Sequence, residues 1–197
     1  YFPRFLLPVI NQEVFIDCGA FDGDTVQSLA AINAGALEKV ICFEPDPQNV
    51  EKLQHSLSNL DSTIRDKIII YQNAVGKQRE KLRFSATGSG ASAISSQGTL
   101  EIEAISLDEV LANEAPTFIK MDIEGAEIDA IMGAREIIKN HSPILAISVY
   151  HQQDHLWRIP LLIKSMCQDY SFFLEPHLHD GQDVIFYAIP NSRFTQP

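Results

Sequence analysis

The stretch Val14-Phe-Ile-Asp-Cys-Gly-Ala-Phe-Asp-Gly-Asp-Thr25 constrains the fold more than any other part of the chain. Three apolar residues lead into Asp17, glycines follow at Gly19 and Gly23, and a helical pattern opens at Asp24. That is the order of a buried strand, a tight turn and a helix, the unit that begins nucleotide-binding α/β folds. A strand without polar alternation is covered on both faces, which calls for a parallel sheet with helices on either side.

The chain goes on to repeat the unit. Val26, Leu29, Ala30 and Leu37 line the first helix, and Gly35 is its stop signal. Lys39–Glu44 reads as the second strand. Glu44-Pro-Asp-Pro47 then ends it and opens a helix with Asp46 as N-cap and Pro47 in its first turn. Lys67–Tyr71, Leu82–Ala86 and Leu100–Ile105 are further strands, the last two separated by a loop, Thr87–Thr99, rich in Gly, Ser and Ala. Ser106-Leu-Asp-Glu109 fits a capping box. Thr117–Asp122 predicts a strand, Glu124–Lys139 a helix, Ile144–Tyr150 a strand, and Pro160–Cys167 a helix. Ser171–Leu174 and Asp183–Ile189, joined through Asp180-Gly181 with no helix between, predict an antiparallel pair. Residues 1–12, with Pro3 and Pro8, form a lead-in that packs on the body. The expectation is one α/β domain over 1–197, a three-layer sandwich around a mostly parallel sheet with one reversed strand.

Charge and cysteines narrow the function. A formal net charge of −11 with no basic stripe argues against nucleic acid as a partner. No apolar run is long enough to span a bilayer. Cys18, Cys42 and Cys167 are odd in number and lack metal-type spacing. They read as free thiols in a reducing compartment, and with no signal peptide in view the expected location is the cytoplasm. Nothing in the sequence reports an oligomeric state.

Ligands of such folds sit at the carboxyl ends of the strands, here Asp17, Gly19, Asp22, Glu44, Asn73 and Asp122. A dinucleotide would set its pyrophosphate at the helix N-terminus, where Asp22 and Asp24 repel it. Phe21 also stands where G-x-G-x-x-G has its second glycine. S-adenosylmethionine carries no phosphate but a sulfonium and an ammonium, which suit an acidic loop. Glu44 is placed for the ribose hydroxyls, as in dinucleotide enzymes, and Asn73 and Ala74 for the edge of the adenine. The candidate cofactor-binding set is Asp17, Cys18, Gly19, Ala20, Asp22, Thr25, Glu44, Pro45, Asn73, Ala74 and Asp122. The competing structural reading has Asp22 and Asp24 merely capping a helix and Glu44 as a solvated strand end.

Five segments together, Phe15–Thr25, Phe43-Glu-Pro-Asp46, Asn73-Ala-Val-Gly76, Ser106-Leu-Asp108 and Ile119-Lys-Met-Asp-Ile-Glu-Gly-Ala-Glu127, resemble the FkbM-type methyltransferases. The resemblance spans about residues 1–190, with Lys-Met-Asp-Ile-Glu-Gly its most specific part. It implies a Rossmann-like fold of seven strands ordered 3-2-1-4-5-7-6, the last antiparallel, and S-adenosylmethionine as methyl donor. It further implies cofactor contacts at Asp17, Gly19, Glu44, Asn73 and Asp122, and O-methylation of hydroxyls on natural products or sugars.

Methyl transfer mainly needs acceptor and donor aligned away from water, an effect of about 7–11 kcal/mol. A hydroxyl acceptor also gains about 10²–10⁴-fold from a base. Asp122, Glu124 and His151 end adjacent strands and are the catalytic candidates, with His151 as base because its pKa lies nearest neutrality. The alternative is an exposed loop histidine, like His155, His177 and His179. The same trio could hold a divalent cation, but its spacing is no recognised ligand signature, so no metal is expected. Glu124 also has a simple place at a helix N-terminus. Lys120 is either a snorkelling lysine or the charge partner of Asp122 or Glu124. The 87–99 loop is a lid or a disordered surface loop, and Trp157 and Phe172-Phe173 are core residues. The acceptor, a small molecule or glycoside, would be selected by residues 1–12, 87–99 and 151–160. Two other functions stay open: a non-catalytic S-adenosylmethionine-binding module of a larger protein, and a nucleotide-sugar or NAD enzyme.

Overall fold

A computed structural model describes residues 1–33, 35, 37–177 and 183–194. In chain order the elements are β1 (Glu13–Cys18), α1 (Asp24–Asn33), β2 (Leu37–Phe43), α2 (Pro47–Ser58), α3 (Ser62–Arg65), β3 (Ile68–Tyr71), β4 (Ala74–Val75), β5 (Glu80–Ser85), β6 (Ala93–Ile94), β7 (Leu100–Ile105) and α4 (Leu107–Val110). There follow β8 (Phe118–Met121), α5 (Glu127–Met132), α6 (Arg135–His141), β9 (Ile144–Ser148), α7 (His155–Met166), β10 (Tyr170–Pro176) and β11 (Val184–Pro190). Seven strands form one sheet in the order β3-β2-β1-β8-β9-β11-β10. β11 runs antiparallel to both its neighbours, and the other pairings are parallel.

A second sheet, not expected from the sequence, stands beside the seven-stranded one. β4, β7, β5 and β6 form a separate four-stranded sheet, built from the segment between β3 and α4. Its outer residues alternate with Ala74, Phe84, Ile102 and Ala104, which bury their own small core. Period-2 alternation marks a sheet with one wet face, and a wet face does not fit inside a doubly covered parallel sheet.

The main sheet divides its side chains by the same period. Ile16, Ile41, Phe43, Ile119, Met121, Leu145 and Ile147 face one layer, packed on Leu107, Ile131, Ile138, Ile159 and Ile163. Phe15, Val40, Cys42, Phe118, Ile144 and Ala146 face the other, packed on Val26, Leu29, Leu53 and Leu57. The lead-in joins this second layer through Leu6, Val9 and Ile10, as expected.

Several element expectations need correction. The helix predicted over Glu124–Lys139 is two helices. Glu124 and Gly125 have φ of 54° and 99°, so the chain turns left-handed before α5 begins at Glu127. A Cβ at Gly133 would lie 2.1 Å from the Gly76 carbonyl oxygen, and this close backbone approach marks the break between α5 and α6. The Asp108 carboxylate then accepts the Glu136 and Ile137 N–H groups, both at 3.0 Å, and caps α6 from a distant segment. α7 begins at His155 and carries Pro160 in its interior, not at its start. Leu37 belongs to β2, not to the face of α1. Trp157, at 55% exposure, and Phe172 lie on the surface rather than in the core. The predicted turn at Asp180-Gly181 lies outside the described residues.

Candidate active site

β1, β2, β3 and β8 end at one cleft of about 210 Å³. Gly19 forms its floor. The N–H groups of Gly19 and Ala20 donate to the Phe43 carbonyl at 2.9 and 3.1 Å. With φ at +77°, a Cβ on Gly19 would stand 1.9 Å from the Asp122 carbonyl oxygen, so β1 and β8 can end this close only at a glycine.

Beneath the floor, Asp17 is fully buried with Oδ1 2.9 Å from the Lys120 ammonium, which also donates to the Gly19 carbonyl at 2.5 Å. The partner of Lys120 is therefore Asp17, not Asp122 or Glu124, and the side chain does not snorkel. Burial disfavours the lysine's charge, but Asp17 and Asp122 outweigh it and hold the pKa above the ordinary value. Burial raises the Asp17 pKa, with Lys120 opposing.

Glu44 is a buried organiser rather than a solvated strand end. Its Oε2 accepts the Phe21 N–H at 3.0 Å and its Oε1 the Asp46 N–H at 2.9 Å, tying the loops after β1 and β2 together. Burial raises its pKa against the pull of those two donors. Asp46 caps α2 through the Gln48 N–H, as expected, and its other oxygen accepts the Gly88 N–H at 2.9 Å and the Ser92 hydroxyl at 2.6 Å. Asn49 donates to the Ser89 carbonyl at 3.0 Å. These bonds fasten the glycine- and serine-rich segment over the cleft, where Ser89, Ser92 and Ile94 line it. Phe43, Ala74, Val75 and Phe84 supply apolar walls, and Asn73 turns its amide to the Glu103 carbonyl at 3.2 Å.

At the mouth, Asp122 accepts the Tyr1 hydroxyl at 2.6 Å and the Tyr150 hydroxyl at 3.3 Å. Burial acts to raise its pKa, but Lys120, Tyr1 and His151 outweigh that and keep it below the usual carboxylate range. His151 is no exposed loop residue. Its side chain is 6% exposed, Nδ1 lies 2.7 Å from Glu127 Oε1, and Nε2 lies 3.4 Å from both Asp122 Oδ1 and Glu124 Oε1. Burial works against protonation of the ring, yet Glu127, Asp122 and Glu124 prevail and raise its pKa above 6.5. The Glu124 pKa is raised by burial, partly offset by His151.

Of the sequence-predicted residues, Gly19, Thr25, Glu44, Pro45, Asn73, Ala74, Asp122 and Glu124 line the cleft. Asp17 lies below it. Cys18 and Ala20 are buried in the two core layers. The Asp22 carboxylate turns to the Asp24 N–H at 3.3 Å, serving the start of α1. His151 stands just behind the wall, in contact with Asp122 and Glu124. Glu124 is not at a helix N-terminus, because α5 begins three residues later. His155, expected on a loop, is buried at the start of α7. Among the described residues no group of three or more His, Cys, Asp and Glu side chains is arranged to hold a metal. Sequence reasoning gave no role to Tyr1, Phe21, Tyr150 and Glu127, although Phe21 and Glu127 lie in segments that carry the resemblance.

Residues 17–181 match the family described as the methyltransferase FkbM domain. The FkbM methyltransferase of Methylobacillus flagellatus KT has a similar structure, with a TM-score of 0.78 and 32% identity. That match covers 90% of this chain and 43% of that one, so the chain spans less than half the relative's length. An rRNA methylase from Streptococcus thermophilus shares the fold at 15% identity and a TM-score of 0.58, covering 94% of this chain and 92% of that one. SMU.1697c of Streptococcus mutans, solved in complex with SAH, shares it at 13% identity and a TM-score of 0.51, with 93% of each chain covered. None of the curated proteins matches. With the FkbM domain matched over 17–181, the chain belongs to the FkbM methyltransferase family.

Proposed function

We propose that the chain is an S-adenosylmethionine-dependent methyltransferase acting on a hydroxyl oxygen of a small polar, sugar or natural-product acceptor. The supporting observation is the charge of the cleft. Asp24, Glu44, Asp122 and Glu124 line it against a single lysine, whose charge is already taken by Asp17. Such a wall suits a cationic ligand and opposes a pyrophosphate. Asn49 lines the cleft, and its Oδ1 is buried without a hydrogen-bond partner, further acceptor capacity there. Gly19, Thr25, Glu44, Asn73, Ala74 and Asp122 would hold the donor, with Asp17 fixing Lys120 beneath the Gly19 floor. When bound it supplies a methyl group on a positively charged sulfur.

The chain's own residues then orient and deprotonate the acceptor. Glu124 lines the cleft 3.4 Å from His151 Nε2. It takes the hydroxyl proton as the oxygen becomes nucleophilic and hands it to that nitrogen. The segment fastened by Asp46 keeps water out, which lets alignment act at full strength. The net charge of −11 speaks for a neutral or cationic small acceptor and against nucleic acid, although an rRNA methylase shares the fold.

Calorimetric titration with S-adenosylhomocysteine and with NAD tests the donor: micromolar binding of the former is expected, and binding of NAD alone overturns the reading. A screen of sugars, polyketides and peptides with labelled donor tests the acceptor. Loss of transfer in His151→Ala would decide against a non-catalytic binding module.

A further inference from the structure

We infer that Glu127 is a positioning residue that dictates which nitrogen of His151 carries the proton. The inference rests on the reading of His151 as the proton acceptor. Glu127 is fully buried in the first turn of α5, and nothing in the proposed chemistry uses it directly. Its Oε1 accepts the Ile123 N–H at 3.1 Å and the Gly125 N–H at 3.4 Å, and lies 2.7 Å from His151 Nδ1. The two backbone bonds pin the carboxylate to the left-handed turn at Glu124-Gly125, so the same turn that aims Glu124 into the cleft also seats Glu127.

A neutral imidazole keeps one proton, and its carboxylate neighbours compete for it. On one side Glu127 makes a short hydrogen bond to Nδ1 from a completely buried position. On the other, Asp122 and Glu124 stand 3.4 Å from Nε2, are 27% and 33% exposed, and leave that nitrogen without an aligned hydrogen bond. Distance and desolvation both favour Glu127. Nδ1 therefore holds the proton, and Nε2 presents its lone pair to Glu124 and the cleft. Without the Glu127 charge, Asp122 and Glu124 would draw the proton to Nε2, and the ring could no longer accept one there.

The remaining groups facing the ring do not reverse this. Tyr150 packs against it at a tilt, with ring centroids 4.2 Å and planes 51° apart, and donates its hydroxyl to Asp122. His155, from α7, brings Nδ1 to 3.3 Å from Glu127 Oε2, and its burial lowers its pKa beyond what Glu127 and Asp154 restore. A neutral His155 leaves the negative charge of Glu127 for His151.

Nitrogen-15 NMR of the histidine rings reads this directly, without turnover. In the wild-type protein above the His151 pKa, Nδ1 is expected to be protonated and Nε2 bare. In Glu127→Gln, which keeps the shape and the oxygen, the His151 pKa is expected to fall and the neutral ring to gain the Nε2–H form. kcat should drop about 100-fold or more, with binding of S-adenosylhomocysteine unchanged. A wild-type ring protonated at Nε2 overturns the inference even if the variant fails to fold, as does a variant whose ring titrates like the wild type. His151→Ala separates the two layers: a variant retaining the full rate removes the underlying reading of His151, whatever the NMR shows.

Discussion

Gly19 is where single atoms decide whether this cleft exists. The missing side chain admits the Asp122 carbonyl, and the positive φ adds a conformational cost for any replacement. Gly19→Ala is expected to lose about 2–4 kcal/mol from strain and overpacking together, read by urea unfolding, and to abolish binding of S-adenosylhomocysteine. Lys120 is the second such residue. Removing it as Lys120→Met leaves Asp17 buried without a cation, and about 3–5 kcal/mol of stability should go with it in the same assay. His151 supplies a pH signature. Its carboxylate neighbours raise its pKa above 6.5, so the form able to accept a proton accumulates only above that raised value. The rate of methyl transfer should climb with pH through a midpoint higher than free histidine's, and a profile flat from pH 6 to 9 would speak against His151 as the acceptor.

At the scale of elements, the segment linking β5 to β7 separates what composition suggests from what packing produces. Its glycines and serines read as either a lid or disorder. β6 pairs with β5, and Asp46 and Asn49 fasten residues 88–92 to the start of α2. Burial acts to raise the Asp46 pKa, but the Ser92 hydroxyl and the Gly88 and Gln48 N–H groups outweigh it and hold it low, so it stays ionised as the segment's anchor. Asp46→Ala should cost about 1 kcal/mol through the lost cap and should speed amide exchange at residues 88–94, with weaker S-adenosylhomocysteine binding. Exchange there as slow as in the wild type would mean that β5–β6 pairing alone holds the segment. The split between α5 and α6 carries the same lesson. Ile128, Ile131, Met132 and Ile138 read as one continuous helix face, whereas the break depends on the Gly76 carbonyl, about sixty residues away in sequence.

Across the whole molecule, two sheets meet at one cleft. The seven-stranded sheet brings strand ends from distant parts of the chain together, and the four-stranded sheet contributes Ala74, Val75, Phe84 and Ile94 as an apolar wall. No helix among the described residues is long and apolar enough to cross a membrane. The spacing of Asp122, Glu124 and His151 is no recognised ligand signature, and treatment with EDTA is expected to leave methyl transfer unchanged. Activity lost to the chelator and restored by Mg or Mn would reverse that expectation.

Local pattern along the chain was enough to foresee the main sheet, the first loop and the acidic character of the candidate site. These depend on local pattern: unbroken apolar runs, glycine at a forced turn, and carboxylates at strand ends. How those carboxylates divide the work was set by long-range packing. Asp17 neutralises Lys120, Glu44 holds two loops, Asp46 fastens a third, Asp122 gathers two tyrosines, and Glu127 seats His151. Each role is set by a partner between about twenty and a hundred and twenty residues away, apart from caps and turns. A carboxylate's charge is written in the sequence, but its desolvation and its nearest donor exist only once distant strands have closed around it.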